Sequence, residues 1–172
     1  MQYVGGKRAR FIWDSLYNMV NDSLDQLNWF DVTNQIEPVH FISQPYDSLE
    51  KIPTNTLTLA PEGTMTDPLE LGSLLSEKHT TYFLDFFSEN EVIGVHMIQD
   101  LEDIIQGRMP SIGRDRPNLI VYDYSQATPP QIFTCQLDDV QIDRGRISNE
   151  RWKYSWFACS FVVIDTYGTE DY

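Results

Sequence analysis

Cations are scarce in this chain: 12 Lys and Arg stand against 26 Asp and Glu, for a formal net charge of −14. So acidic a balance excludes nucleic-acid binding through a broad surface, because phosphate affinity comes from Lys and Arg. Cysteine is nearly missing, and Cys135 and Cys159 both stand in strand-like runs. They read as buried apolar thiols and not as a disulfide framework. The three histidines, His40, His79 and His96, come with no C-x-x-C pair and no H-E-x-x-H, so no zinc motif is present. No run approaches the roughly 18 apolar residues of a membrane span. The opening "MQYVGGKRAR" lacks the apolar stretch and small-residue cleavage site of a signal peptide, and the expectation is synthesis and folding in a cytoplasm.

What is present suffices for a core. Of 172 residues, 41% are apolar and 13% aromatic, which argues for one folded domain. The periodicity predicts an amphipathic helix over about 6–27, with Ile12, Trp13, Leu16, Tyr17, Met19, Val20, Leu24 and Leu27 on one face. Asp14, Asn18, Asn21, Asp22 and Asp25 gather on the other. "PVHFIS" (38–43) allows a short strand, and "NTLTLA" predicts one at about 55–60. Pro61, Gly63 and Pro68 then predict a loop from Pro61 to Lys78.

"TTYFLDFFSENEVIGVHMIQDLEDIIQGR" follows. Its first part predicts a strand at about 80–87 with apolar residues on both faces, as in the centre of a sheet. Ser88 and Glu91 read as a capping box opening a helix over about 89–106, with Gly107 as its left-handed stop. The core stripe of that helix is Ile93, Met97, Ile98, Leu101, Ile104 and Ile105. Three strands complete the chain, at about 118–124, 131–143 and 152–167, with short connections that favour an antiparallel meander. In the second, apolar positions are odd through Leu137 and even from Val140, which predicts a bulge at Asp138–Asp139. The expected fold is α+β: one domain, with a mixed, mostly antiparallel sheet and two helices packed on it.

No catalytic set emerges. There is no G-x-S-x-G and no glycine-rich phosphate loop. His96, Asp100 and Asp103 share a helix face, but it lies opposite the core stripe, where exposed polar residues need no metal. Adjacent acids such as Asp138–Asp139 and Glu102–Asp103 arise readily among 26 carboxylates. Trp152 and Trp156, at strand spacing, read as core or interface. The expectation is a non-enzyme with no catalytic, cofactor or metal residue.

Ten of the 12 cations fall in three clusters: Lys7, Arg8, Arg10; Arg108, Arg114, Arg116; and Arg144, Arg146, Arg151, Lys153. Ordinary surface charge is one reading. The other is a set of basic spots that pair with the acidic body of a second copy, head to tail. A meander would bring the second and third clusters to one end of the sheet.

The order helix, strand, strand, helix, three strands resembles the tail terminator (tail-completion) proteins of long-tailed bacteriophages. The resemblance runs from about Lys7 to Tyr167 and is carried by the amphipathic first helix, "LTLAPEG", the aromatic strand entering a capped helix, and "WFACSFVVIDTY" in the last strand. It implies a virion protein of the tail–neck junction, made in the host cytoplasm. It implies a homohexameric ring that caps the tail tube, stops its polymerisation and joins the head-side connector. DNA would only pass through the lumen. On that reading Arg108, Arg114, Arg116, Arg144, Arg146, Arg151 and Lys153 are candidate interface residues. Asp14, Asp22, Asp100 and Asp103 are candidates for an acidic lumen that repels DNA. The alternatives are a head-closure or stopper protein of the neck, and a small acidic enzyme or ligand-binding domain with a pocket under the Pro61–Lys78 segment.

Overall fold

The computed structural model describes residues 5–26, 39–42, 54–68, 75–107, 118–148 and 153–168. Helix α1 spans Gly5–Gln26 and buries Ile12, Leu16 and Val20, with Trp13, Tyr17, Met19 and Leu24 packed beside them. Leu27 and Asp25 lie outside what is described, Asp25 in its side chain only. Strand β1 (His40–Ile42) pairs parallel with β2 (Thr56–Pro68). Tyr17 stacks on Phe41 with ring centroids 4.6 Å apart, tying α1 to that border.

The Pro61–Lys78 loop is overturned. β2 continues to Pro68 and β3 (Leu75–Ser88) starts at Leu75, so both arms of one long hairpin cross that segment. The prolines misled for a physical reason. Among the described residues, β2 beyond Thr58 has a partner on one side only, and a proline without an N–H is tolerated on such an edge. A register shift between Pro61 and Gly63 absorbs Glu62 as an extra residue.

Helix α2 (Glu91–Ile105) follows, and every residue of its expected stripe is buried. Gly107 ends it at φ 68°, a left-handed backbone that glycine adopts freely. β4 (Asn118–Tyr122), β5 (Gln131–Ser148) and β6 (Lys153–Gly168) form the antiparallel meander. The sheet order is β1-β2-β3-β6-β5-β4, so β3 is central as its two apolar faces require. The bulge in β5 stands where the phase switch placed it: Asp138 pairs with Val162 and Gln141 with Ser160, leaving one extra residue on β5. Asp139 takes φ 49° there. The effect is to return Ile142 to the face of Leu137, since both oppose odd-numbered residues of β6.

Both helices cover that face. Tyr82, Leu84 and Phe86 of β3 oppose Phe161, Cys159 and Phe157 of β6, and all six are buried in one core cluster with α1 and α2. Each such side chain taken fully out of water contributes about 1.5–3 kcal/mol. Ser15, polar on the apolar face of α1, accepts the Tyr122 N–H at 2.9 Å and so satisfies part of the outer edge of β4.

Candidate functional site

The junction between β3 and α2 is built differently from the expected capping box. Ser88 belongs to β3, and the N-cap is Asn90, whose Oδ1 accepts the Val92 and Ile93 N–H groups at 3.0 and 3.4 Å. Ser88 instead donates to Asn55 Oδ1 at 2.7 Å and accepts the Asn90 N–H at 3.1 Å. Asn55, buried and left-handed at φ 56°, thereby fixes the start of β2 to the start of α2. These polar groups are consumed by one another and tie the end of β3 to the start of β2 and of α2.

The candidate interface cations are placed only in part. Arg108, Arg114, Arg116 and Arg151 lie outside the described residues, so their meeting with the third cluster is not described either. Arg144 and Arg146 stand on β5, opposite Phe157 and Ser155, and Lys153 opens β6 opposite Ser148. Arg144 is exposed and lines a shallow depression of about 210 Å³ with Glu91, Gly145, Ser155 and Phe157.

The four candidate lumen acids divide between the helices. Asp14 is half-buried and 3.5 Å from Arg10, and Asp22 is exposed. Burial, then Asp22, Tyr122 and Asp14, push the Tyr124 hydroxyl up, which places both acids near the turn after β4. Asp100 and Asp103 are half-buried on α2. Burial and then Asp103 raise Asp100, while His96 opposes them. Among the described residues, no group of three or more His, Cys, Asp or Glu is arranged to hold a metal ion. Both cysteines are free and buried. Burial pushes Cys159 up to about 12 and Cys135 higher still, so neither is a thiolate nucleophile at neutral pH.

Two features were missed from the sequence, and a third was expected only in its place. The first is a buried ion pair: Arg8 Nε and Nη2 reach Asp165 Oδ2 and Oδ1 at 2.7 and 2.6 Å, with the guanidinium 3.6 Å above the Phe133 ring centroid. The second lies on the sheet face away from the helices. Asp85, 6% exposed, accepts the Trp156 indole N–H at 2.8 Å, and Thr58 opposite it has a buried hydroxyl with no partner. Burial raises Asp85 to about 6, partly offset by the Trp156 hydrogen bond, with Glu62 adding to the rise. A lone acid inside an apolar strand, "YFLDFF" and "FVVIDTY", was the available signal for both.

The third is a cleft of about 440 Å³ where α1 crosses the β2–β3 hairpin. Ile12, Trp13, Val163 and Tyr167 supply apolar lining, and Arg10 and Lys78 stand among its walls. It occupies the region expected to hold a pocket, but strands and not a loop form its wall, through Pro61, Thr64 and Lys78.

The sheet itself carries the most distinctive geometry. β1 covers only Thr56–Thr58 of β2, and β4 covers only 131–136 of β5. Among the described residues, 61–68 of β2 and 139–148 of β5 therefore lack an outer neighbour. The two stretches lie on opposite borders of the sheet and towards opposite ends of its strands. Pro61 to Thr66 and Asp138 to Arg144 are exposed, apart from half-buried Val140. Unpaired strand edges are templates for another chain.

No family model matches the chain, and no curated protein matches it.

Proposed function

We propose that this chain is a structural subunit of a long-tailed phage virion, a tail terminator whose copies associate head to tail into a ring. The observation that carries self-association is the pair of strand edges that lack an outer neighbour among the described residues. A contact that joins two different surfaces of the same chain repeats from copy to copy and closes into a ring when the rotation allows. Edge-to-edge pairing of β2 with β5 of the next copy would be antiparallel, as the alternation of the sheet requires. Arg144 and Arg146 lie on one of these edges, in keeping with an interface role. The assignment to a phage tail rests on the order of elements and the strand and helix patterns quoted above.

In this reading the ring caps the tail tube protein and meets the head-side connector at the tail–neck junction. Asp14, Asp22, Asp100 and Asp103 face the channel and keep passing DNA from sticking. The test is negative-stain microscopy of particles made without this gene. Tails of uncontrolled length, unattached to filled heads, are expected. Normal infectious particles would overturn the reading, and tails of normal length beside leaking heads would move the protein to the head side of the joint.

A further inference from the structure

The floor of the cleft between α1 and the β2–β3 hairpin changes character along the strands. Lys78, Thr80 and Tyr82 alternate along β3 and so share the face that α1 crosses. At one end Lys78 pairs with Asp165 of β6, in the middle Thr80 pairs with Val163, and at the other end Tyr82 pairs with Phe161. The helix follows the same order. Arg8 binds Asp165 beside Lys78, and the Trp13 ring lies 5.9 Å from that of Tyr82 at the opposite end. Between them the lining residue Ala9 carries only a methyl group, which leaves room for a guest.

The polar groups left over in this cleft are donors. Both carboxylate oxygens of Asp165 are held by Arg8, at 2.7 and 2.6 Å, and the Thr64 and Thr80 hydroxyls stand 3.3 Å from each other. Lys78 is half-buried and forms no ion pair among the described residues. Arg10, 79% exposed in its side chain, has only a loose 3.5 Å approach to Asp14. The Tyr82 hydroxyl makes no hydrogen bond among the described residues. Burial and then Cys135 push it up to about 12, so it stays protonated and can donate. A half-buried ammonium beside apolar walls, with no anion of its own, is the part of the site that calls for a ligand.

We propose that this cleft binds a small monocarboxylate with an apolar body, its carboxylate on Lys78 and its body over Ile12 and Val163 towards Trp13. A volume of about 440 Å³ suits a small molecule, since such sites run from about 300 to 1,000 Å³. Lys78 selects an anion. The field of a chain of net charge −14 disfavours a second negative charge on it. The apolar walls select against inorganic anions, which have no surface to bury there. The contact lies within one copy of the chain and is independent of ring formation.

The test is isothermal titration calorimetry of the full chain with sodium 4-phenylbutyrate, and with the neutral 4-phenyl-1-butanol for comparison. The carboxylate should bind about tenfold or more tightly than the alcohol. Added salt should narrow that difference. Lys78→Met keeps most of the stem without the charge. It should weaken binding of the carboxylate about tenfold and leave the alcohol unchanged. Thr64→Trp, at an exposed position on the cleft wall, should weaken both by occupying the space. Circular dichroism checks that each variant is folded. No binding of phenylbutyrate at millimolar concentration would overturn the proposal. Equal binding of acid and alcohol would overturn it too, since the cleft would then not select an anion. So would an affinity for the acid that is unchanged in either variant, which would put the ligand elsewhere on the chain.

Discussion

Gly94 lies against the ring of Phe157: a Cβ built on it would stand 2.6 Å from both Cδ2 and Cζ and closer still to Cε2. Helix α2 can sit this low on the sheet only because that position has no side chain. Alanine normally favours a helix over glycine by about 1 kcal/mol. Overpacking a filled core costs about 1–3 kcal/mol, and Phe157 is 2% exposed with little room to turn. Gly94→Ala should therefore lower the urea midpoint of unfolding. Gly63→Ala, where nothing lies within 4 Å, should leave it unchanged or raise it slightly.

Asp85 makes stability depend on pH in a stated direction. Its native value is raised from 3.8 to about 6, so the folded chain holds a proton that the unfolded chain releases. That contribution is fully present below pH 3.8 and is lost as pH rises through about 6. The loss is on the order of 3 kcal/mol, two pH units of displacement at about 1.4 kcal/mol each. Asp85→Asn keeps an oxygen for the Trp156 N–H and carries no charge. It should be more stable than the parent at pH 7, and the difference should vanish near pH 4 in urea titrations.

Removing Arg8 should be far more damaging than removing a surface cation. Asp165 is 3% exposed and would be left as an uncompensated buried charge, at a cost of about 3–5 kcal/mol. Arg8→Met combined with Asp165→Asn removes the charge from both sides and should recover much of the loss. A double-mutant cycle by chemical denaturation measures the coupling.

Much of this fold was legible because local physics and tertiary packing agree. The α2 stripe, the central position of β3 and the bulge after Asp138 all follow from apolar periodicity, which burial then enforces. The hairpin through Pro61–Lys78 was not legible, because prolines speak against a strand unless it is known to be an edge. Ser88 satisfied the capping pattern, yet Asn55, 33 positions away, claims its hydroxyl. Arg8 and Asp165 are 157 positions apart, and the cleft is assembled from α1, β2, β3 and β6. The lone acid of "FVVIDTY" shows in the sequence, but its partner Arg8 and the strands that wall the cleft do not. Four of the candidate interface cations, Arg108, Arg114, Arg116 and Arg151, lie outside the described residues, so their part of the site is carried by sequence alone.

The cap assignment has its own check. Asn90→Ala removes the acceptor of two helix N–H groups and should cost about 1 kcal/mol. Asn90→Ser or Asn90→Asp should retain most of the stability, measured by thermal melting.

Head-to-tail pairing of the two open edges is tested most directly by cross-linking between copies. Both native cysteines are buried, so an introduced exposed thiol is the one that reacts. Thr66→Cys marks the β2 edge and Gln141→Cys the β5 edge, both at exposed positions. The two full-length variants would be treated with a short bismaleimide, separately and mixed. Head-to-tail pairing predicts cross-linked dimers in the mixture, joining Thr66→Cys to Gln141→Cys, and little in either variant alone. Cross-links within one variant alone, or none in any sample, would contradict it.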